Sequence, residues 1–234
     1  MASYDDKIVT GEQLETILTS VLANNQKMTV DDINNFHSER DNKTVKIGFF
    51  GSFDTEEVDS NGVPISQNYN DTTGPAVTVT VPIDGIVEIP SELIRFGYSI
   101  GSWNTKNGGS GTKLSNGVAF LARTIAEKGI YHETFGCYKA YGIFSQKKYT
   151  IVYDTQGGSS MGAKTNVTTG MNNLVKSKRP AKNGYVFGSY NTKPDGTGLE
   201  ITDSVTLAQL LCSSTSINGP TVTIYAQWTE ATND

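Results

Sequence analysis

The sequence predicts an α+β protein in which short N-terminal helices precede a β-rich region that contains one small strand-and-helix unit twice. Three observations carry this. The first 40 residues hold an amphipathic helical stripe, the apolar residues from Lys43 onward alternate as they do in strands, and a block beginning at Gly97 returns at Gly184. A chain of 234 residues is long enough for two small domains with a core each. The expected divisions are a helical anchor and oligomerisation segment over 1–40, a β-rich region with a degenerate first copy over 41–145, and a complete second copy over 146–234.

Thr10 is the expected first N-cap, Gln13 three residues on closes a capping box, and Val9 is placed to staple onto Leu14. Leu14, Ile17, Leu18, Val21 and Leu22 then fall at i, i+3, i+4, i+7 and i+8, one apolar stripe. A shorter helix start follows at Thr29, with Met28 and Ile33 in the staple relation and Val30, Ile33 and Phe36 as its apolar face. Two short helices make no stable core alone, so the stripe needs a cover. Leu14, Ile17, Leu18, Val21 and Leu22 are therefore the candidate anchor and oligomer interface, covered by copies of the same segment or by another protein.

Val45, Ile47 and Phe49 alternate, a polar stretch runs from Asp54 to Gly74, and Val77, Val79 and Val81 alternate again. Turn chemistry at Ser60-Asn61-Gly62 and Thr73-Gly74-Pro75 makes the polar stretch an expected exposed loop or long hairpin tip. Having no counterpart in the second copy, the stretch and its Tyr69 are the candidate for a specific contact.

The repeat is the strongest feature. Gly97-Tyr98-Ser99-Ile100-Gly101-Ser102-Trp103-Asn104-Thr105-Lys106 matches Gly184-Tyr185-Val186-Phe187-Gly188-Ser189-Tyr190-Asn191-Thr192-Lys193 at an offset of 87. At the same offset Gly109 and Gly111 fall on Gly196 and Gly198, Leu114 on Ile201, Val118 on Val205, Phe120 on Leu207, Ile130 on Ile217, Tyr138 on Tyr225 and Tyr141 on Trp228. Each unit reads strand, glycine turn, short strand, helix, strand. The first helix is expected from Val118 to Lys128, with Gly129 as a left-handed cap; the second starts at Asp203 and buries Val205, Leu207, Leu210 and Leu211. Phe135 to Tyr141 and Val222 to Trp228 are closing strands. Tyr149 to Asp154 opens the second unit, and Val77 to Val81 takes that part in the first. A helix crossing a small mixed sheet is the β-grasp arrangement. Aromatic residues recurring at equivalent places, Trp103 with Tyr190 and Tyr141 with Trp228, favour core packing over ligand binding.

Tyr149-Thr150-Ile151-Val152-Tyr153-Asp154 with Gly157-Gly158, then Gly184 to Tyr190, then Gly196-Thr197-Gly198, then Tyr225-Ala226-Gln227-Trp228, together resemble the internalin-type B repeat, a small β-grasp module of bacterial surface proteins that also occurs in phage proteins. The resemblance covers about 149 to 229; the copy at about 76 to 142 matches only its second half. It implies a spacer or adhesive module without catalytic residues. The opening Lys7-Ile8-Val9-Thr10-Gly11-Glu12-Gln13-Leu14 is similar to the amphipathic starts of phage accessory virion proteins such as head fibres, decoration proteins and tail fibres.

Composition narrows the function further. With 24 acidic against 19 basic residues the net charge is -5, without the basic excess that nucleic acid or anionic lipid requires. No stretch approaches the roughly 18 apolar residues that cross a bilayer, and Met1 to Lys7 leads into an amphipathic pattern instead of an apolar signal core. Cys137 and Cys212 are expected as reduced core thiols. His37 and His132 have no partners at metal-ligand spacing, so no metal is expected. Asn107 to Thr112 lacks the basic residue of a phosphate loop, and Pro194 to Gly198 replaces one of its glycines with an acid, so both are turns. Asp5-Asp6, Asp31-Asp32 and Glu56-Glu57 suit solvated surfaces or helix starts better than acid-base catalysis.

The expected protein is non-enzymatic and needs no cofactor: a phage virion accessory protein of head-fibre or decoration type, anchored by its N-terminal helix and projecting β-grasp modules for host-surface adhesion. Its expected partners are a capsid or tail protein, further copies of itself, and a host surface polysaccharide or protein, with neither nucleic acid nor membrane. It would be made in the host cytoplasm without export and reside on the virion. The alternative is a bacterial cell-surface adhesin or spacer.

Overall fold

The computed structural model describes residues 43–232, apart from 176 and 215. The helix starts at Thr10 and Thr29, the stripe from Leu14 to Leu22, and His37 lie outside the described residues.

Among the described residues the chain forms two large sheets. The first unit contains β1 (Thr44–Val58), β2 (Pro64–Tyr69), β3 (Val77–Pro82), β4 (Ile86–Glu88), β5 (Tyr98–Asn104), β6 (Lys113–Ser115), β7 (Ala119–Leu121), α1 (Ala122–Lys128), β8 (Tyr131–His132) and β9 (Cys137–Gln146). The second contains β10 (Tyr149–Asp154), β11 (Lys164–Val167), β12 (Tyr185–Asn191), β13 (Glu200–Ile201), α2 (Leu207–Ser213), β14 (Ile217–Asn218) and β15 (Thr221–Glu230). The sheet orders are β2-β1-β9-β5-β6, with β3 beside β1 and β8 beside β9, and β11-β10-β15-β12-β13, with β14 beside β15.

The α+β class expected from the sequence is corrected: the described molecule is β-rich, with two helices of seven residues each. The apolar run expected to start a helix at Val118 pairs instead. Ala119, Phe120 and Leu121 form β7 against Glu88, Val87 and Ile86 of β4, which leaves only Ala122 onward to α1. Gly129 is extended (φ -82°, ψ 171°), not left-handed; it is glycine because its amide reaches the Ile125 carbonyl at 2.8 Å, where a side chain would collide. In the second unit Thr206, not Asp203, caps the helix. Its hydroxyl accepts from the Gln209 amide while the Gln209 side chain accepts from the Thr206 amide, a complete capping box.

Both units place an opening strand parallel to a closing strand, and in the first unit the opener is β1. Ile47 lies opposite Tyr138, as Ile151 lies opposite Val222. Val77 to Val81, expected in that role, is β3, which runs antiparallel to β1 in the place that β11 takes beside β10. The 87-residue offset holds through the first hairpin, where Asn104 pairs with Lys113 and Asn191 with Glu200. It then contracts to 84, and two of the three residues are lost where the β8–β9 turn spans 133–136 and the β14–β15 turn only 219–220. Asn104 therefore faces Tyr141 while Asn191 faces Tyr225, so the counterpart of Tyr141 is Tyr225 and that of Trp228 is Phe144.

Each sheet has its own core. Ile47, Phe49, Trp103, Phe120 and Ile125 are buried in the first, and Ile151, Tyr190, Leu207, Leu210 and Ile224 in the second. Such side chains stabilise by about 1.5–3 kcal/mol each. The cores meet at one junction, where Phe96, just ahead of β5, packs against the second core. Next to it Gly97 (φ +75°) lies so close to Thr169 that a side chain there would overlap it.

Candidate functional site

The glycine turns that resemble ligand-binding loops are structural knots, made twice. Asn104 Nδ2 donates to the Gly109 and Gly111 carbonyls, each at 3.2 Å, and its Oδ1 accepts from the Lys106 and Gly111 amides, each at 3.0 Å. Asn191 donates to the Gly196 and Gly198 carbonyls and accepts from the Lys193 and Gly198 amides. Thr105 and Thr192 accept from the Thr112 and Leu199 amides, each at 2.9 Å. These buried polar groups are saturated by their own turns, so the turns offer nothing to a phosphate.

The aromatic positions divide. Trp103 and Tyr190, equivalent in the two sheets, are both fully buried. Trp228 is half-buried, and its Nε1 donates to the Thr155 carbonyl at 2.9 Å, fastening the turn after β10. Lys182 lies over Tyr185 at 4.4 Å from the ring centroid, while Arg95 lies over Tyr98 at 4.0 Å. Cation and aromatic face are thus already paired on the flank of each sheet.

The polar stretch from Asp54 to Gly74 is mostly strand. β1 continues to Val58 and β2 returns along it, which leaves a tip at 59–63 where the Asp59 carboxylate accepts from the Asn61 and Val63 amides at 2.8 and 3.0 Å. Those bonds hold the Asp59 carboxyl below its usual range. Tyr69 packs on Phe53, ring centroids 6.3 Å apart, and is half-buried. Asp54 Oδ2 accepts from the Phe96 amide at 2.6 Å and its own amide donates to the Ile94 carbonyl at 2.8 Å, tying the extension to the junction between the sheets. The stretch named as a contact loop is therefore tied to the molecule at its two ends, by Asp54 and by Tyr69, and its tip and much of β2 are exposed.

Beyond the extension, the sequence did not single out a polar cluster around Asp71. Asp71 accepts from Tyr141 Oη at 2.9 Å and from Lys139 Nζ at 3.0 Å, and its carbonyl lies 3.1 Å from Nε2 of His132. Burial opposes the charge on Asp71, but the bonds from Lys139 and Tyr141 and the charge of Lys139 outweigh it and hold the carboxyl below its usual range. Burial first, then Asp71, pushes Tyr141 up. Its signal in the sequence was the turn-forming run Asn70-Asp71-Thr72-Thr73, whose Asn70 Oδ1 accepts from the Thr72 and Thr73 amides. The cluster fastens a loop and carries no nucleophile.

Cys137 is buried and burial raises its thiol; Cys212, expected in a core, is exposed on α2, so that half of the expectation is corrected. Among the described residues no three His, Cys, Asp or Glu side chains converge as metal ligands, and no helix is long and apolar enough to cross a membrane.

The family model of the Listeria-Bacteroides repeat domain matches the chain twice, over residues 65–122 and 149–210, together a little over half of its length. The chain belongs to this family. No curated protein matches it. The first match begins inside β2, whereas the parallel partner of β9 is β1, upstream of the match. The first copy thus takes its opening strand from outside the repeat, which is why its beginning reads as degenerate. Two copies of this repeat make a repeat-containing, surface-associated type of protein.

Proposed function

We propose that the chain is a non-enzymatic adhesive display protein in which the first 40 residues anchor and oligomerise while the two sheet units project outward. The observation that carries this is the paired occurrence of the repeat in β-rich units whose buried polar groups are spent on their own turns. Among adhesive proteins we favour a phage virion accessory protein of head-fibre or decoration type. What supports it is the likeness of Lys7 to Leu14 to such proteins and the apolar spacing of Leu14, Ile17, Leu18, Val21 and Leu22, suited to a capsid or tail partner or to further copies.

A bacterial cell-surface adhesin or spacer is the second reading, favoured by the repeat itself. Mass spectrometry of purified virions against washed cell-surface fractions separates the two. The virion reading expects a fixed copy number per particle, and enrichment in cell-surface fractions without virions overturns it.

A further inference from the structure

Strand β3 is an unguarded sheet edge: among the described residues it pairs with β1 and with no other strand. Its residues, Val77-Thr78-Val79-Thr80-Val81-Pro82, carry no charge, and all but the proline are β-branched. Its register with β1 runs from Thr44 opposite Pro82 to Phe49 opposite Val77 without a shift. β11, which takes the same place in the second sheet, is blunted. It has four residues, begins with the charged Lys164, holds Asn166 at φ +58°, and meets β10 in an irregular register. Shortness, charge and irregularity keep an exposed edge from pairing with another chain, and β3 has only its terminal proline.

The ladder fixes which backbone groups are free. The Ile83 amide donates to the Lys43 carbonyl at 2.8 Å, so bonding to β1 falls on Val77, Val79 and Val81, and the amides and carbonyls of Thr78 and Thr80 point outward. Both threonines are exposed and the valines half-buried. Beyond them the next groups are spent: the Ala76 amide donates to the Phe49 carbonyl, and the Pro82 carbonyl accepts from the Gly85 amide, each at 2.8 Å. This edge is complementary to itself. Val77 to Val81 reads the same in both directions, so an antiparallel copy centred on Val79 sets Thr78 against Thr80 and Val77 against Val81. Each threonine pair then exchanges two hydrogen bonds, every free amide and carbonyl is used, and Thr opposite Thr is a favourable cross-strand pair. Centring on Thr80 would set Thr78 against Pro82, which has no amide hydrogen; centring on Thr78 would set Thr80 against Ala76, whose amide is taken.

We infer that two copies of the chain join edge to edge through β3, antiparallel about Val79, into one continuous sheet. So short a ladder buries less than the roughly 1,200 Å² of a stable interface. The copies therefore pair at about millimolar concentration, which anchoring side by side would impose, and separate at the micromolar concentrations of sedimentation. The test is residue-resolved amide hydrogen exchange of the full chain at about 1 mM, which supplies that concentration without the anchor, so edge and anchor fail separately. Thr78→Lys with Thr80→Lys, and Thr78→Glu with Thr80→Glu, each set like charges opposite one another. The amides of residues 78 and 80 are expected to exchange at least about tenfold more slowly in the parent than in either variant, and an equimolar mixture of the two variants restores the protection. Thr78→Lys with Thr80→Glu keeps it unmixed, because position 78 of one copy faces position 80 of the other. All these variants should unfold with the parent, since both side chains point to solvent. Should one melt lower, Thr80→Pro takes its place: it removes an outward amide, spares the β1 ladder, and should free the residue 78 amide to exchange. Parent amides that exchange as fast as those of the variants overturn the inference, as do like-charged variants that stay protected. A mixture that restores nothing assigns the protection to residues of the same chain and overturns it too; loss in Thr78→Lys with Thr80→Glu overturns the register about Val79.

Discussion

Asn104 and Asn191 occupy the same position in two different sheets and make the same four hydrogen bonds, two donated and two accepted, to the turn that follows each. A buried primary amide has two donors and one oxygen acceptor, and here every one of them is used. This is why the block around each asparagine repeats so faithfully. Neither aspartate, which cannot donate, nor leucine of similar size can hold the turn closed.

It follows that Asn191→Ala should destabilise the second sheet by at least about 2 kcal/mol, since it strands buried amides and carbonyls that cost about 1–3 kcal/mol each when unsatisfied. Gly198→Ala should do comparable damage, because a side chain there runs into Thr192 and lies 2.7 Å from Asn191 Oδ1. Urea unfolding of the full chain reads both. A loss under about 0.5 kcal/mol in either variant would mean that the turn has another way to close.

The junction makes a sharper test through Gly97 and Thr169. Gly97→Ala introduces a side chain at φ +75° and drives it into the Thr169 side chain, so both backbone strain, about 1–2 kcal/mol, and overlap should appear. Thr169→Ala removes the overlapping atoms and leaves the strain. The double variant should therefore recover part of the loss, and a double-mutant cycle measures how much. Simple additivity would show that the two sheets do not touch there in solution.

Elements with local causes were legible in the sequence, and those decided by distant partners were not. The hairpin from Gly97 to Leu114 and its copy could be read because turn glycines, capping amides and alternation all lie within a few residues of each other. The opening strand of the first unit could not, since Val45-Ile47-Phe49 and Val77-Val79-Val81 have the same period, and only the parallel pairing of Ile47 with Tyr138 tells them apart. Val118 to Leu121 looked helical for the same reason: its pairing with Ile86 to Glu88 lies more than thirty residues away.

Acid should loosen the loop that carries Asp71. Its folded carboxyl titrates below its unfolded value of about 3.9, so the stabilisation is fully present above that pH and is lost as pH falls through the lower, folded value. Thermal unfolding between about pH 5 and pH 2 should show this loss, and Asp71→Asn should flatten it while keeping an acceptor for Tyr141. Protection of the Thr72 and Gly74 amides against exchange should fall in step. Parent and variant curves that run parallel over this range would remove Asp71 as the titrating group.

The stripe Leu14, Ile17, Leu18, Val21 and Leu22 provides the test of anchoring. Five aliphatic side chains are worth about 1.5–3 kcal/mol each when covered, enough to drive association if they share one face. Among the described residues the cores of the two sheets are built from side chains between Val45 and Ala226, and on the anchor reading the segment adds nothing to them. Ile17→Asp combined with Leu18→Asp should therefore leave the thermal transition of the sheets unchanged while abolishing oligomers in sedimentation and incorporation into particles. Two charges cannot stay buried in an apolar seam without partners, so an intermolecular seam has no route around the change. A variant that assembles as before, or one whose sheets unfold with it, would place the stripe inside the body of a single chain and end the anchor reading.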